Sequence, residues 1–323
     1  MRKLSRAVRE CGGRLLVVGD KKGPFAYPVA GAELLTLEQQ MRLPLTLPKK
    51  LPVNHYVRKN AGYLVAISRG AACIYETDDD NAPTEKWKPR SSSVSAIPVR
   101  HSGWANVYAW FSRQFIWPRG FPLQDITASR HWKPAGRMQT RVTASPIQQG
   151  LADGNPDVDA IWRLVLMTDV RFKSRRSLAL GRGAWCPFNS QSTWWWPEAY
   201  PLLYLPSYCT FRMTDIWRSF IAQRCIWEIG GALTFHAPEV VQERNQHDLL
   251  RDFQDEVPGY LKNTRICGLL GQLRLKPGKE AVSENMCHCY EALIQFDIFP
   301  ARELVLLKAW LADLEKIARG MVS

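Results

Sequence analysis

Three consecutive aspartates, Asp78, Asp79 and Asp80, follow the apolar run Ala72-Cys73-Ile74-Tyr75-Glu76 and run into Asn81. Adjacent carboxylates repel one another unless something positive sits among them. In an extended segment alternate side chains share a face, so Asp78 and Asp80 can reach one hard cation, directly or through water. All-oxygen ligation suits Mg2+ or Mn2+, and such an ion completes its shell with substrate phosphates. Taken alone, the same tripeptide serves equally well as an acidic loop tip or a helix cap. Its surroundings decide between these readings.

Residues 56–70 have helical spacing, with Tyr63, Ala66, Ile67 and Gly70 on one side and Gly70 placed as the stop. Arg58, Lys59 and Asn60 open this helix, where cations and free amides can meet phosphate oxygens. Upstream, residues 14–20 read as a buried strand closing on Gly19, Asp20, Lys21 and Lys22, beside which a base and ribose fit. A short strand at 32–35 and a short helix at 36–40 follow. Strand, helix and strand in this order imply a parallel βαβ unit, and open α/β sheets bind ligands at the carboxyl ends of their strands. The arrangement predicts a nucleotide-diphosphate site with a metal: Gly19, Asp20, Lys21, Arg58, Lys59, Asn60 and Asp79 on the nucleotide, Asp78 and Asp80 on Mn2+ or Mg2+.

The 323 residues carry 43 Lys and Arg against 30 Asp and Glu, a net charge of +13, which fits a partner rich in negative charge. Further apolar runs at 158–170 and 203–212 read as strands. From Asp215 the pattern turns helical and ends at Gly230-Gly231; beyond 241 it is helical throughout, with an amphipathic closing helix over 294–317. The organisation is a basic segment at 1–13, an α/β domain at 14–240 and a helical extension at 241–323. No stretch approaches a spanning helix, and the first ten residues could lie on an anionic surface. The eight cysteines read as reduced thiols. Cys287-His288-Cys289 lacks the four ligands of a structural zinc site unless Cys267 and His247 are recruited. A phosphate loop is absent, since Gly278-Lys279 is followed by Glu280, and there is no G-x-S-x-G elbow.

The segment KNAGYLVAISRGAACIYETDDDN resembles the donor site of GT-A-fold glycosyltransferases, in which a DxD motif ends a strand. More broadly, residues 14–317 resemble the STELLO family through VVGDKKGP, LTLEQQ, QQGLADGNPDVDAIWRL, PFNSQSTWWWPEAYPLLYLP and FRMTDIWRSFIAQRCIWEIGG. The resemblance implies a mostly parallel GT-A-like sheet flanked by helices, and kinship with reversibly glycosylated polypeptides that act as UDP-arabinopyranose mutases. It directs attention to Asp215, where the related mutases carry Asp-Asp-Met-Trp. A carboxylate there can accept the proton of an attacking hydroxyl, or simply cap a helix. Asp157 and Asp159 lie in a Pro/Gly-flanked loop, suited to sugar hydroxyls or to a turn and cap. Asn189, Ser190 and Gln191 stand beside Trp194, Trp195 and Trp196, as sugar binding under an aromatic face requires, although the three Trp serve equally as packing. Trp217 and Arg218 follow Asp215 as further substrate candidates. The basic residues Arg171, Lys173, Arg175, Arg176 and Arg182 could face a donor diphosphate, a lipid-linked acceptor or solvent.

The expected activity is transfer of a sugar from a nucleotide diphosphate sugar, a UDP-sugar by the resemblance, to a polysaccharide or glycolipid acceptor. A nucleotide-sugar mutase and a non-catalytic scaffold of a polysaccharide-synthesis complex are the alternatives. Nucleic acid is disfavoured because the basic residues are dispersed and the aspartates occupy the best cleft. The plant members of the family have a transmembrane anchor that this sequence lacks, so the expected location is cytoplasmic, with possible contact at the inner face of the membrane.

Overall fold

The computed structural model describes residues 1–136, 138–242 and 248–321. Helix α1 (Arg2–Glu10) precedes strands β1 (Leu15–Val18) and β2 (Ala32–Leu35), then α2 (Leu37–Arg42), α3 (Leu47–Lys50) and α4 (Lys59–Ser68). There follow β3 (Ile74–Thr77), β4 (Asn81–Pro83), β5 (Ser93–Val99), β6 (Gly103–Trp104), α5 (Val107–Phe111), β7 (Arg141–Ala144), β8 (Ile147–Gly154) and α6 (Ala160–Val165). The chain continues through β9 (Leu178–Leu180), β10 (Ala184–Trp185), β11 (Ser192–Trp195), α7 (Thr214–Ile226) and β12 (Leu233–Gln242). It closes with α8 (Leu249–Gln272), α9 (Val282–Gln295) and α10 (Glu303–Ala318).

Local chemistry places several of these ends. Thr36 and Gln39 form a reciprocal capping box at the start of α2. Gly70 has φ +75°, which stops α4 at the glycine the sequence marks. Each of the 13 residues of α7 is buried, polar ones included, so this helix runs through the interior.

The architecture is α/β with a helical C-terminal region, as expected, but the sheet is mixed rather than mostly parallel. Its order is β3-β11-β8-β12-β9-β5-β7, with β4 also on β12. Among the described residues of this sheet, only β8–β12 and β5–β9 are parallel pairs. β11 enters antiparallel between β3 and β8, so β3, β8 and β12 all run the same way. Their carboxyl ends therefore share one edge: Asp78 follows β3, Asp157 follows β8, and Gln242 ends β12. β1 pairs with β2 in a separate parallel ribbon.

Four sequence expectations change. Residues 160–165 are helical because Asp159 caps them, its carboxylate accepting the Trp162 amide at 2.8 Å. Residues 203–212 fold as 3-10 turns and loop, held by buried bonds such as that of Leu205 to Asn60 rather than by a ladder. The closing helix over 294–317 is interrupted between α9 and α10, where Asp297 turns with φ +56°. The N-terminal helix forms, but Leu4 is 2% exposed and packs with Trp87, Trp194 and Trp196, so its apolar face is already covered. One hydrophobic core runs from Leu45 through the sheet to Trp310, so α8–α10 pack on the same core as the strands. Among the described residues no helix is long and apolar enough to cross a membrane.

Candidate active site

β3 alternates buried and half-buried positions, sending Glu76 inward and delivering Asp78 to the carboxyl edge. Asp78 Oδ1 lies 2.5 Å from Lys59 Nζ, on the first residue of α4. The same ammonium donates to the Thr77 carbonyl at 3.2 Å and sits 4.7 Å from the centre of the Tyr56 ring. Burial pushes the Asp78 carboxyl up to about 6; Lys59 opposes this, while the charges of Asp80 and Asp215 add to it. The Tyr56 phenol is pushed up by burial and then by Asp78, Asp215 and Glu76, so these four groups share one electrostatic environment. Asp80 accepts from Gln242 Nε2 at 2.7 Å and from Asn81 Nδ2 at 3.2 Å. Asp79 is exposed, and its charge reaches the phenol of Tyr27.

Asp215 is the second residue of α7, and Met213 holds the cap position without a side-chain bond, so Asp215 is no N-cap. Its carboxylate, 5% exposed, takes Arg119 Nη2 at 3.0 and 2.9 Å on its two oxygens and the Ser190 amide at 3.2 Å. Arg119 also binds Asp157 as a fork, Nε to Oδ1 at 2.8 Å and Nη2 to Oδ2 at 2.7 Å. Burial alone would lower the Arg119 pKa, but Asp157 and Asp215 outweigh it and hold it well above the ordinary value. One guanidinium thus serves two carboxylates. Behind them Arg212 pairs with Glu256 at 2.7 Å, tying the start of α7 to α8.

The structure brings Lys59, Asp78, Asp157 and Asp215 together at this edge, with Asp80 beside them. It gives other expected residues different partners. Arg58, 2% exposed, turns inward to Gln40 and to the carbonyls of Pro48 and Leu51, so it knits the loop before α4. Asn60 exchanges two 2.9 Å bonds with the Leu205 backbone. Asp20 accepts the amides of Asn54 and His55, fixing the approach to Tyr56, while the Gly19 amide and carbonyl bond Leu35 and Gln40. Lys21 is exposed. Asp159 is buried between the Trp162 amide and the Trp117 indole, and burial pushes its carboxyl up to about 7. Trp217 is 2% exposed and donates to Asn263 of α8. Arg218 lies beneath the site, paired with Glu76 at 3.0 Å. Asn189 bonds Gln149 and the Gln191 amide, and Gln191 reaches the Asn155 carbonyl, shaping the turn that presents Ser190 to Asp215. Trp194, Trp195 and Trp196 are buried packing. On α9, Cys289 turns inward with its Sγ 3.9 Å from that of Cys225, while Cys287 is half-buried; His247 lies outside the described residues.

Sequence reasoning missed Tyr56, Arg119 and Gln242. Tyr56 precedes Lys59 by one helical turn, a spacing that places the two side by side. Arg119 lies in a Pro-Arg-Gly-Phe-Pro loop with no local signal, because its partners come from distant segments.

Among the described residues no group of three or more His, Cys, Asp or Glu side chains is gathered to hold a metal. The carboxylates of Asp78 and Asp80 nevertheless fit a hard divalent ion by donor type. Mg2+ characteristically uses one or two carboxylates and leaves the rest of its shell to water and phosphate.

The family model described as STELLO glycosyltransferases matches residues 212–321, a span beginning three residues before Asp215 and covering α7 to α10. The Arabidopsis thaliana protein named Probable glycosyltransferase STELLO1 is 27% identical over 336 positions, covering 97% of this chain and 42% of that protein. STELLO2 of the same plant is 26% identical, covering 97% of this chain and 43% of its own length. The chain thus spans less than half the length of these relatives, while nearly all of it aligns with them.

Proposed function

We propose that this STELLO-type chain transfers a sugar from a nucleotide diphosphate sugar, a UDP-sugar, to a carbohydrate or lipid-linked hydroxyl acceptor. The observation that carries the reading is the shared environment of Asp78 and Asp215 at the carboxyl edge, one held by Lys59 and the other by Arg119. Departure of a nucleoside diphosphate builds negative charge on its oxygens, and a cation already in place stabilises that charge without reorganisation. Lys59, part-buried on Asp78, is poised to meet it. Mn2+ or Mg2+ held by Asp78 and Asp80 would add Lewis-acid neutralisation of the same diphosphate. Asp215 receives the acceptor proton as general base. Arg119 shares its single charge between Asp157 and Asp215, with Arg212 3.8 Å from Asp157 behind them.

Calorimetric titration of UDP, GDP and CDP, each with and without Mn2+, tests the donor half of this reading. Metal-dependent binding of one nucleotide, lost in Asp80→Ala, is expected. Equal nucleotide affinity in Asp80→Ala with Mn2+ would overturn the assignment of the aspartates.

A further inference from the structure

The end of α6 exposes aliphatic side chains in quick succession: Leu164 is 40% exposed, Val165 71% and Met167 76%. Single exposed apolar residues are ordinary, whereas three within four positions form a patch with something to cover. The segment is held in this shape. Gln114 Nε2 donates to the Asp169 carbonyl at 2.8 Å, and the Gly154 amide donates to the Val170 carbonyl at 3.0 Å. The amides of Phe172 and Lys173 bond Asp153 and the Phe111 carbonyl at 2.8 and 2.7 Å. These bonds anchor residues 169–173, directly after the exposed tip at the end of α6.

Positive charge surrounds it. From 160 to 182 Asp169 is the one acidic residue, against five arginines and one lysine; Arg163 and Arg182 pair with Asp252 and Glu228, which leaves Arg171, Lys173, Arg175 and Arg176 as the flanking cations. Arg171 and Arg175 are exposed, and Arg113 comes alongside from the end of α5. The Lys173 ammonium is held below its ordinary range by desolvation and by the like charges of Arg113 and Arg175. Aliphatic side chains at the tip and cations on its flank match the acyl region and the phosphates of an anionic bilayer. Nucleic acid would satisfy the charges but not the exposed valine and methionine. The N-terminal helix, the other basic segment, has no apolar face left to offer.

We infer that the projection from Leu164 to Arg175 docks this protein on membranes containing anionic phospholipid. The inference goes beyond the glycosyltransferase reading and does not depend on it.

Co-sedimentation of the full chain with vesicles of phosphatidylcholine alone, and of phosphatidylcholine mixed with phosphatidylglycerol, tests it. Binding to the mixed vesicles, weakened by salt and absent from the neutral ones, is the expected result. R171Q/K173Q should weaken binding by about thirtyfold, as expected for two basic residues at an anionic surface. V165D/M167D should weaken it by roughly tenfold or more through loss of apolar burial. Circular dichroism of both variants checks that they fold; V165D and M167D change exposed positions, and Asp tolerates the φ of +40° at Met167. Absence of binding to anionic vesicles overturns the proposal, as does binding that neither variant alters. Retention of duplex DNA without vesicle binding overturns it in favour of nucleic acid. No nucleotide is present in the assay, so failure of donor binding and failure of membrane docking are read separately.

Discussion

Arg119 holds Asp215 through one nitrogen, Nη2 standing 3.0 and 2.9 Å from its two carboxylate oxygens, and the same nitrogen reaches Asp157 at 2.7 Å. All three side chains are at most a tenth exposed, so the guanidinium is the nearest cation offsetting two carboxylates held out of water. Removing it takes the nearest cation from both, leaving Asp157 with Arg212 at 3.8 Å and Asp215 with the Ser190 amide at 3.2 Å. Arg119→Gln is expected to destabilise the fold by about 3–5 kcal/mol in denaturant unfolding, the range for breaking a buried ion pair from one side. Arg119→Lys keeps the charge but not the fork and should lose less. Equal stability of Arg119→Gln and the parent would show that the carboxylates find water or a proton instead.

Close packing of α4 against β1 sets where Lys59 stands. Gly62 lies on the buried side of α4, and a Cβ there would fall 2.4 Å from Val18 Cγ2. Gly62→Ala therefore forces the helix away from the strand. A loss of about 1–3 kcal/mol is expected from overpacking, despite the higher helix propensity of alanine. Val18→Ala in the same chain should recover part of it, and failure to do so would place the strain elsewhere.

What the sequence disclosed, and what it hid, follows from which forces are local. The run into Asp78, the Gly70 stop and the short helix at 36–40 depend on neighbours within a turn, and all three were legible. Strand β8 was not: Gln148 and Gln149 sit at the centre of the sheet because His236 and Asn189 bond them, partners far away in sequence. Arg58 and Lys59 are adjacent cations that no local rule separates, yet one is locked on Gln40 and the other reaches Asp78. The aliphatic run after Asp159 has strand-like composition, but the cap at Asp159 starts a helix whose end points at solvent. Pairing direction was the least legible feature, since β11 inserts between β3 and β8 from a later part of the chain.

Asp159 gives the fold a pH dependence of defined sign. Burial raises its carboxyl from the ordinary 3.8 to about 7, so between these values the folded chain binds more protons than the unfolded one. This group's contribution to stability is present below about pH 4 and is lost as pH rises towards 7. Asp159→Asn removes the titration. Its stability relative to the parent should therefore improve from pH 4 to 7, by up to about 4 kcal/mol. Unfolding free energies of both proteins across that interval measure the difference, and a constant difference would contradict a raised Asp159 carboxyl.

Asp78 makes the parallel argument at the site itself. Its carboxyl is raised by burial to about 6, with Lys59 as the principal group pulling it down. A cation bound at Asp78 must compete with the proton below that value. On the proposed function, nucleotide affinity in the presence of Mn2+ should hold above pH 6 and fall by up to about tenfold per unit below it, the limit for one competing proton. Asp78→Asn should bind weakly with no such break. Lys59→Met is the sharper variant, because removing the ammonium strips away the charge that favours ionisation. The break should then move to higher pH, while overall affinity drops through loss of a phosphate contact. Titration calorimetry of the three proteins from pH 5 to 8 measures both effects. A break that stays in place in Lys59→Met would mean that the ion pair between Lys59 and Asp78 does not control the carboxylate, and that the two residues meet the donor independently.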